Sequence, residues 1–306
     1  MVNPIYDVVI IGAGPAGIQA AIHASRKKTD VLLLGRIENS ALNGAHVENY
    51  AFVEGVQAGR DLLAAGHRQV AQFGSRIAPL DVLKIAQDGE IFRLELESGE
   101  EIKGRTVIFA MGVSKKKLNV PGENELLGRG VSYCVDCDAN FYRGATVTVV
   151  GDRSAAVDGA LTLLGYAAKV YLVSQKLNVS QELLTRLRQS PVEVLEGTGI
   201  KAIAGEKAVT GLHLTSGDMV QTDGVFIELG SKGALELATQ LGVMLDSEHF
   251  KHIDTNRKQE TNIPGVYAAG DIVGYPYQIA KAVGEGCVAG MEAATYARRQ
   301  KQKESA

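Results

Sequence analysis

One pattern occurs twice in this 306-residue chain, and it limits the fold more than any other feature. Tyr6-Asp-Val-Val-Ile-Ile11 is short, apolar and β-branched, as expected of a strand buried on both faces. Gly12-Ala-Gly14-Pro15-Ala16-Gly17 follows at once. An Ala-rich helical pattern then runs to about Lys28, and a second apolar run spans Val31 to Leu34. Strand, glycine turn, helix and strand within about 30 residues is the context in which G-x-G-x-x-G signals a dinucleotide site. Gly12 makes the tight turn. Gly14 lets backbone approach a pyrophosphate, Gly17 lets the helix pack close to the strand, and the helix N-terminus faces the phosphates. Without a ligand the same pattern is only a tight strand–helix turn. The acid that usually ends the second strand is displaced. The strand closes Leu34-Gly35-Arg36, with Glu38 two residues later.

The second copy starts at Val147 and repeats the first at a constant offset. Gly12 maps to Gly151, Gly14 to Arg153, Gly17 to Ala156 and Val31 to Val170. Its chemistry is changed. Arg153 stands where backbone must approach a pyrophosphate, and Asp152 is its neighbour. The strand that follows ends Val173-Ser174-Gln175-Lys176. It offers no acid for a ribose 2′-hydroxyl and no Arg cluster for a 2′-phosphate. Either this unit keeps the fold and has lost the ligand, or it takes a different one.

The repeat predicts an α/β chain with two doubly wound Rossmann-like dinucleotide-binding domains. Residues 76–110 alternate like β-structure, with turns at Asp88-Gly89 and Ser98-Gly99. They end in Val107-Ile-Phe-Ala110-Met-Gly112. Lys115-Lys-Lys117 and Pro121-Gly122 then mark a crossover. Near the C-terminus, Pro264-Gly-Val-Tyr-Ala-Ala-Gly270-Asp271 reads as a buried strand closing on a turn. Tyr277-Gln278-Ile279 opens an Ala/Gly-rich helix to about Ala297, and the polar tail beyond is expected to fray. One domain therefore comprises 1–116 and 245–306. The other, 117–244, is inserted into it.

Lys+Arg 32 against Asp+Glu 35 gives a net charge of −3, which excludes a dominant nucleic-acid-binding surface. No apolar run reaches the ~18 residues of a membrane span, and no secretory signal is visible. A cytoplasmic protein is expected. Of the three cysteines, two form Cys134-Val-Asp-Cys137. In that setting the pair is redox-active or metal-binding rather than a structural disulfide. There is no second Cys-x-x-Cys, and the six histidines show no ligand spacing near it, so no metal is expected. Cys287, within Gly284-Glu-Gly-Cys-Val-Ala-Gly290, reads as small core packing.

These residues together resemble the low-molecular-weight thioredoxin reductases of the flavin disulfide reductase class. The resemblance spans nearly the whole chain. It rests on the 12–17 loop, Val47-Glu-Asn-Tyr50, Phe109-Ala-Met-Gly112 and Pro121-Gly-Glu. It rests further on Gly130-Val-Ser-Tyr-Cys134-Val-Asp-Cys137-Asp138 with Phe141-Tyr142, and on Val266 to Asp271 with the Gln278 helix. The resemblance implies FAD on Gly12, Gly14, Pro15, Ala16 and Gly17, with Gly35, Arg36, Leu42, Ala110 and Gly112 beside it. Asn49, Gln278 and Ile279 match residues beside the flavin ring, and Tyr277, next to Gln278, is expected to bind the cofactor beside them. Gly270 and Asp271 match the turn whose acid bonds FAD near the ribityl and pyrophosphate. Cys137 matches the sulfur facing the flavin, Cys134 the sulfur that attacks a protein disulfide, and Asp138 an acid/base group. A thioredoxin-like protein is the implied substrate and a homodimer the implied assembly.

The departures carry as much information. The family's NADPH loop has three glycines followed by Asp-Ser-Ala, where this chain has Gly151-Asp-Arg-Ser-Ala-Ala156. The His-Arg-Arg that grips the 2′-phosphate is Ser174-Gln175-Lys176. Gly-Gly-Gln-Leu beside the FAD is Asn39-Ser-Ala-Leu42, and an Arg usual before Gln278 is Tyr277. This is similar to the relatives that do not use pyridine nucleotide: ferredoxin-linked reductases, a branch with a second FAD in the old nucleotide site, and FAD-dependent dithiol oxidases. An ordinary NADPH-dependent reductase and a non-catalytic flavoprotein scaffold are the other readings. Lys115–Lys117 and Arg129 would dock an acidic electron donor such as ferredoxin, or form a solvated hinge flank. Asp136 reads as a solvated or potential-tuning charge. Of Tyr142, Tyr166, Tyr171, Tyr275 and Tyr277, Tyr277 is the best placed to stack on a ring, with core packing expected for most of the others.

Overall fold

Both copies of the repeat form parallel strand pairs in the same register: Val8 opposes Val31 in the first, and Val147 opposes Val170 in the second. The structure, a computed structural model, describes residues 4–113, 117–230, 233–248 and 250–304. The chain divides into two compact units, Met1–Leu96 with Glu100–Ser114 and Gly233–Ala306, and Glu97–Gly99 with Lys115–Lys232.

The first unit is built on a sheet in which Ile5–Ile11 lies between Val31–Leu34 and Glu101–Phe109. Arg76–Ala78 extends it at one side, and Val266–Ala268 pairs parallel to Glu101–Phe109. The hairpin Val82–Asp88 and Ile91–Leu96 joins the same sheet antiparallel. Alternation along the strands feeds two cores. Val9, Ile11, Leu32 and Leu34 face one, and Val8, Ile10, Val31 and Leu33 face the other. That explains why these strands read as continuous apolar runs.

The helices Pro15–Arg26 and Ile279–Glu304 meet along a seam of small residues. A Cβ on Gly286 would sit 2.2 Å from the Ala16 carbonyl oxygen, and one on Gly290 2.3 Å from that of Ala20. Backbone contact this close leaves no room for a side chain. Gly290→Leu is therefore expected to cost about 3 kcal/mol through overpacking, read as a lower thermal midpoint. A midpoint unchanged within about 1 °C would contradict the seam.

Two expectations need correction. The polar tail does not fray. The last helix continues to Glu304 and buries Gln300. Lys301 Nζ lies 2.8 Å from Asp7 Oδ1, and Arg105 bonds Glu304. These charged residues read as solvated, but their partners are far away in sequence. The return to the first unit also falls at Gly233, ahead of residue 245. The reason is that Ala234, Leu237 and Ala238 of the helix Ala234–Gln240 pack into the first unit's core.

The second unit has a parallel sheet ordered Glu193–Glu196, Lys169–Ser174, Thr146–Val150, Gly224–Ile227 and Val131–Ser132. An antiparallel sheet of Ile200–Gly205, Val209–Leu214 and Met219–Gln221 completes it. The short strand Val131–Ser132 delivers the chain directly into Cys134.

Candidate active site

In the first unit the glycine turn is set by contact. Gly12 has φ +118°, and a Cβ there would lie 2.5 Å from the Ala110 carbonyl oxygen. A Cβ on Gly17 would lie 1.8 Å from the Gly12 carbonyl oxygen, so only glycine closes the turn. Gly14 is the N-cap of Pro15–Arg26 and makes no side-chain cap, and Pro15 occupies the first turn. The first turn is thus presented without a competing side-chain acceptor. Ser40 stands across from Gly14, 3.3 Å from its Cβ position, and its Oγ accepts the Leu42 N–H at 3.3 Å. Leu42 is thereby fixed in the turn Ala41–Gly44. Gly35 has φ +120°, and its Cβ position is 3.4 Å from the Ala13 nitrogen. Arg36 pairs with the buried Asp81 at 2.9 Å. Gly112 has open space at its Cβ position.

The C-terminal half of this site is tied by a lysine and a glutamate that sequence reasoning passed over. Lys281 Nζ donates to the carbonyls of Gly270 at 2.9 Å and Gly274 at 2.7 Å. Glu285 Oε2 accepts the Gly270 N–H at 2.9 Å and pairs with Lys281 at 3.0 Å. Gly270, at φ +90°, turns the chain into Asp271. Burial raises the Asp271 pKa above the usual carboxylate value, and the Lys281 charge opposes this. Asn49 Nδ2 donates to Gln278 Oε1 at 3.1 Å, which joins two residues far apart in sequence. Ile279 begins the final helix. The glycine turn, the open space at Gly112 and the braced Gly270-Asp271 turn fit a dinucleotide of the FAD type.

Tyr277 Oη lies 2.8 Å from His252 Nε2, and its ring stacks on Tyr275 at 4.2 Å. Burial and then Tyr275 push the Tyr277 hydroxyl up to about 12. Of the five tyrosines, Tyr142, Tyr166 and Tyr171 are half-buried, and Tyr275 and Tyr277 are exposed. Tyr142 packs edge-on to Phe226, while Arg143 lies over Tyr166 and Lys169 over Tyr171. Tyr142 and Tyr171 pack as expected, Tyr142 against the fully buried Phe226 and Tyr171 against the second unit's buried cluster, whereas Tyr275 and Tyr277 are exposed and stack on each other. Cys287 is only half-buried.

In the second unit Cys134 and Cys137 form a disulfide. Cys134 caps the short helix Val135–Asp138, its Sγ accepting the Cys137 N–H at 3.2 Å. Ser132 Oγ accepts the Cys134 N–H at 3.0 Å and donates to Asp138 Oδ2 at 2.6 Å. One hydroxyl therefore links the predicted acid/base group to the backbone of the predicted attacking cysteine. The Tyr133 hydroxyl donates to Glu123 Oε1 at 2.5 Å, and the Leu118 and Asn119 amides donate to the same carboxylate. Burial alone would raise Glu123, but the Tyr133 hydroxyl and the backbone amides hold it below the ordinary carboxylate value. Burial and Glu123 push Tyr133 the other way. Glu228 Oε1 accepts the Val135 N–H at 3.2 Å. Ser132 and Glu123 lie inside the motifs at 130–138 and 121–123, whereas Glu228 belongs to no motif and only the fold brings it to the Val135 amide.

The altered nucleotide loop begins at Gly151, where a Cβ would meet the Glu228 carbonyl oxygen at 2.1 Å. Arg153 caps the helix Ser154–Leu163 through its backbone, and Ser154 and Asp158 are buried. Lys117 Nζ donates to Asn124 Oδ1 at 2.9 Å and Arg129 to the Glu125 carbonyl, so both are held locally. Lys115 and Lys116 lie outside the described residues. Among the described residues no cluster of three or more His, Cys, Asp or Glu could hold a metal ion. No helix among them is long and apolar enough to cross a membrane.

Two nucleotide-type units, one with an intact glycine turn and the other opening on a redox disulfide, define a flavin-type disulfide oxidoreductase. The chain belongs to the pyridine nucleotide-disulphide oxidoreductase family, which it matches over residues 6–286. Within that family it is an enzyme of thioredoxin reductase type. It is 36% identical over 310 residues to thioredoxin reductase of Listeria monocytogenes, covering 97% of this chain and 96% of the relative. Among solved structures it is similar to the atypical thioredoxin reductase TRi from Desulfovibrio vulgaris Hildenborough. That match has 35% identity, a TM-score of 0.81 and coverage of 97% and 99%. A ferredoxin-flavin thioredoxin reductase from Clostridium acetobutylicum matches at 36% identity and TM-score 0.68, covering 96% and 98%.

Proposed function

We propose that this enzyme reduces the disulfide of a thioredoxin-like protein with electrons from a donor other than NADPH, a ferredoxin-type protein being the favoured source. The observation that carries the donor claim is Arg153 at the pyrophosphate position, with Ser174 and Gln175 where arginines would grip a 2′-phosphate. The similarity to a ferredoxin-flavin reductase supports it.

The roles are those that the resemblance to the thioredoxin reductases implies for these positions. Gly12, Gly14 and Gly17 would hold the pyrophosphate of FAD against the helix N-terminus. Asp271, which follows the Gly270 backbone held by Lys281 and Glu285, would hold the ribityl region of that FAD. Asn49, Gln278 and Ile279 would hold the flavin ring. A bound flavin supplies a two-electron carrier that restores the dithiol. Cys134 as thiolate attacks one sulfur of the substrate disulfide and forms a mixed disulfide, releasing the other sulfur as a thiolate. Cys137 then attacks Cys134. The Cys134–Cys137 disulfide forms and the second substrate thiolate leaves. The substrate has gained two electrons and two protons, and the pair has lost them. Asp138, with its Oδ2 held by Ser132, handles the protons.

Denatured protein is expected to release a yellow cofactor that co-elutes with FAD. FMN alone, or no flavin after reconstitution, would refute this site. The remnant of the second nucleotide unit keeps its strand–turn–helix frame, so a second FAD is a further candidate ligand. A flavin-to-chain ratio near one in excess FAD would remove it. The deciding experiment is anaerobic bleaching of the flavin by NADPH, NADH, reduced ferredoxin and dithiothreitol in turn. Fast reduction by ferredoxin and slow reduction by NADPH is the expected pattern. Thiol-dependent peroxide production without a protein disulfide would indicate a dithiol oxidase instead.

A further inference from the structure

We infer that Glu228 is a positioning residue of the redox pair: its buried carboxylate fixes the Val135 amide beside Cys134, and its charge restrains thiolate formation at that sulfur. The inference rests on the reading that Cys134 is the attacking thiol.

Glu228 follows directly on the strand Gly224–Ile227, in the second unit. It is 7% exposed. Its backbone is held by the bond from its own N–H to the Val150 carbonyl at 2.9 Å. Its carbonyl faces Gly151, where a Cβ would approach to 2.1 Å. With the main chain fixed, Oε1 reaches Val135 and accepts its N–H at 3.2 Å. Gly159 leaves the space this needs. A Cβ there would lie 3.0 Å from Val135 Cγ2 and 3.8 Å from Glu228 Cγ. A buried carboxylate costs free energy unless it is bonded, and this one is spent on the amide that directly follows Cys134.

Val135 N–H belongs to the peptide that carries the Cys134 carbonyl, so the bond sets the orientation of the Cys-x-x-Cys turn. The same contact places a carboxylate on the amide of the residue that directly follows Cys134, whose sulfur must become an anion to act. Like charge at short range disfavours the second ionisation. A restrained thiolate is scarcer but intrinsically more nucleophilic than a strongly acidic one. It is also less open to adventitious oxidation.

Other charged groups surround the pair. Asp136 and Asp138 lie on its own short helix. Tyr133 with Glu123 precede it, and Tyr142 follows it. Asp158 and Arg153 come from the helix segment that packs against it. Asp136, Asp138, Glu123 and Asp158 act in the same direction as Glu228, and Arg153 opposes them. All are retained in Glu228→Gln, so the comparison with wild type isolates one charge while keeping an acceptor at Oε1.

The test measures Cys134 alkylation by iodoacetamide against pH, resolved by peptide mass spectrometry. It uses flavin-loaded full-length protein carrying Cys137→Ser, with and without Glu228→Gln. Adding Glu228→Gln is expected to move the midpoint for Cys134 about one unit toward acid, so alkylation below the midpoint rises about tenfold. Cys287 in the same samples is expected to keep its profile, which separates a local charge effect from loss of folding. Superimposable Cys134 profiles with and without Glu228→Gln would overturn the inference. So would parallel shifts at Cys134 and Cys287. The relay itself is judged separately, by turnover of Cys134→Ser. If that variant stays active the relay reading fails, whatever the alkylation profiles show.

Discussion

Cys134→Ser and Cys137→Ser are each expected to lose steady-state reduction of a thioredoxin-like disulfide by about a thousandfold or more, as removal of a nucleophile does. The two losses should differ in what they trap. With Cys137→Ser the first exchange can still occur, because Cys134 retains its thiol. No second sulfur is present to resolve the product. A mixed disulfide between Cys134 and the substrate should accumulate on non-reducing gels and disappear with dithiothreitol. With Cys134→Ser the attacking thiol is absent. Cys137 has only its own sulfur to offer, and covalent capture should be weak or missing. Neither substitution touches the glycine turn at Gly12 to Gly17 or the Gly270-Asp271 turn, so both variants should keep the flavin. A variant that keeps wild-type turnover would make the pair structural and end the relay. Equal capture by both would leave the relay standing but abolish the assignment of Cys134 as the outward sulfur.

How much of this site was legible depended on whether its physics is local. The glycine turn is local. Gly12 and Gly17 make backbone contacts, Gly12 with Ala110 and Gly17 with Gly12, that admit no Cβ, and the strands beside them are short apolar runs. The repeat was legible because both copies use the same strand register. Cys134, Cys137 and Asp138 sit within five residues of one another, so a motif holds them. Ser132 is close in sequence but ordinary in type. Its importance lies in the direction of one hydroxyl. Glu228 reaches the Val135 amide only through the fold, and no motif announces it, while Glu123 lies in the Pro121-Gly-Glu motif, which does not specify its bond to Tyr133. Lys281 and Glu285 left a faint signal, an i,i+4 ion pair inside an otherwise Ala/Gly-rich helix. The polar tail was misread for the same reason. Lys301 and Glu304 find Asp7 and Arg105 only after the first and last elements pack together.

NADPH is expected to bleach the wild-type flavin slowly or not at all, and Arg153→Gly alone is expected to recover little. Productive use of NADPH needs two separate things from the second unit. One is a backbone that the pyrophosphate can approach, which is the role of glycine at the position held by Arg153. The other is a cationic grip on the 2′-phosphate, which is what distinguishes NADPH from NADH. Arg153→Gly supplies only the first. Ser174 and Gln175 offer no charge, and Lys176 is a single point charge without the planar fork that pairs with phosphate. Each missing charge-assisted bond is worth about 1.5–3 kcal/mol, so one repaired contact leaves affinity well below the micromolar range. A triple substitution, Arg153→Gly with Ser174→Arg and Gln175→Arg, should gain far more than the sum of its parts. The bond network then closes around one ligand. Stopped-flow absorbance of the flavin at graded NADPH concentrations checks this directly. Rapid stoichiometric bleaching of the wild type at micromolar NADPH would refute the donor claim. An equal gain from Arg153→Gly alone would show that the lost 2′-phosphate grip at Ser174 and Gln175 was never the barrier.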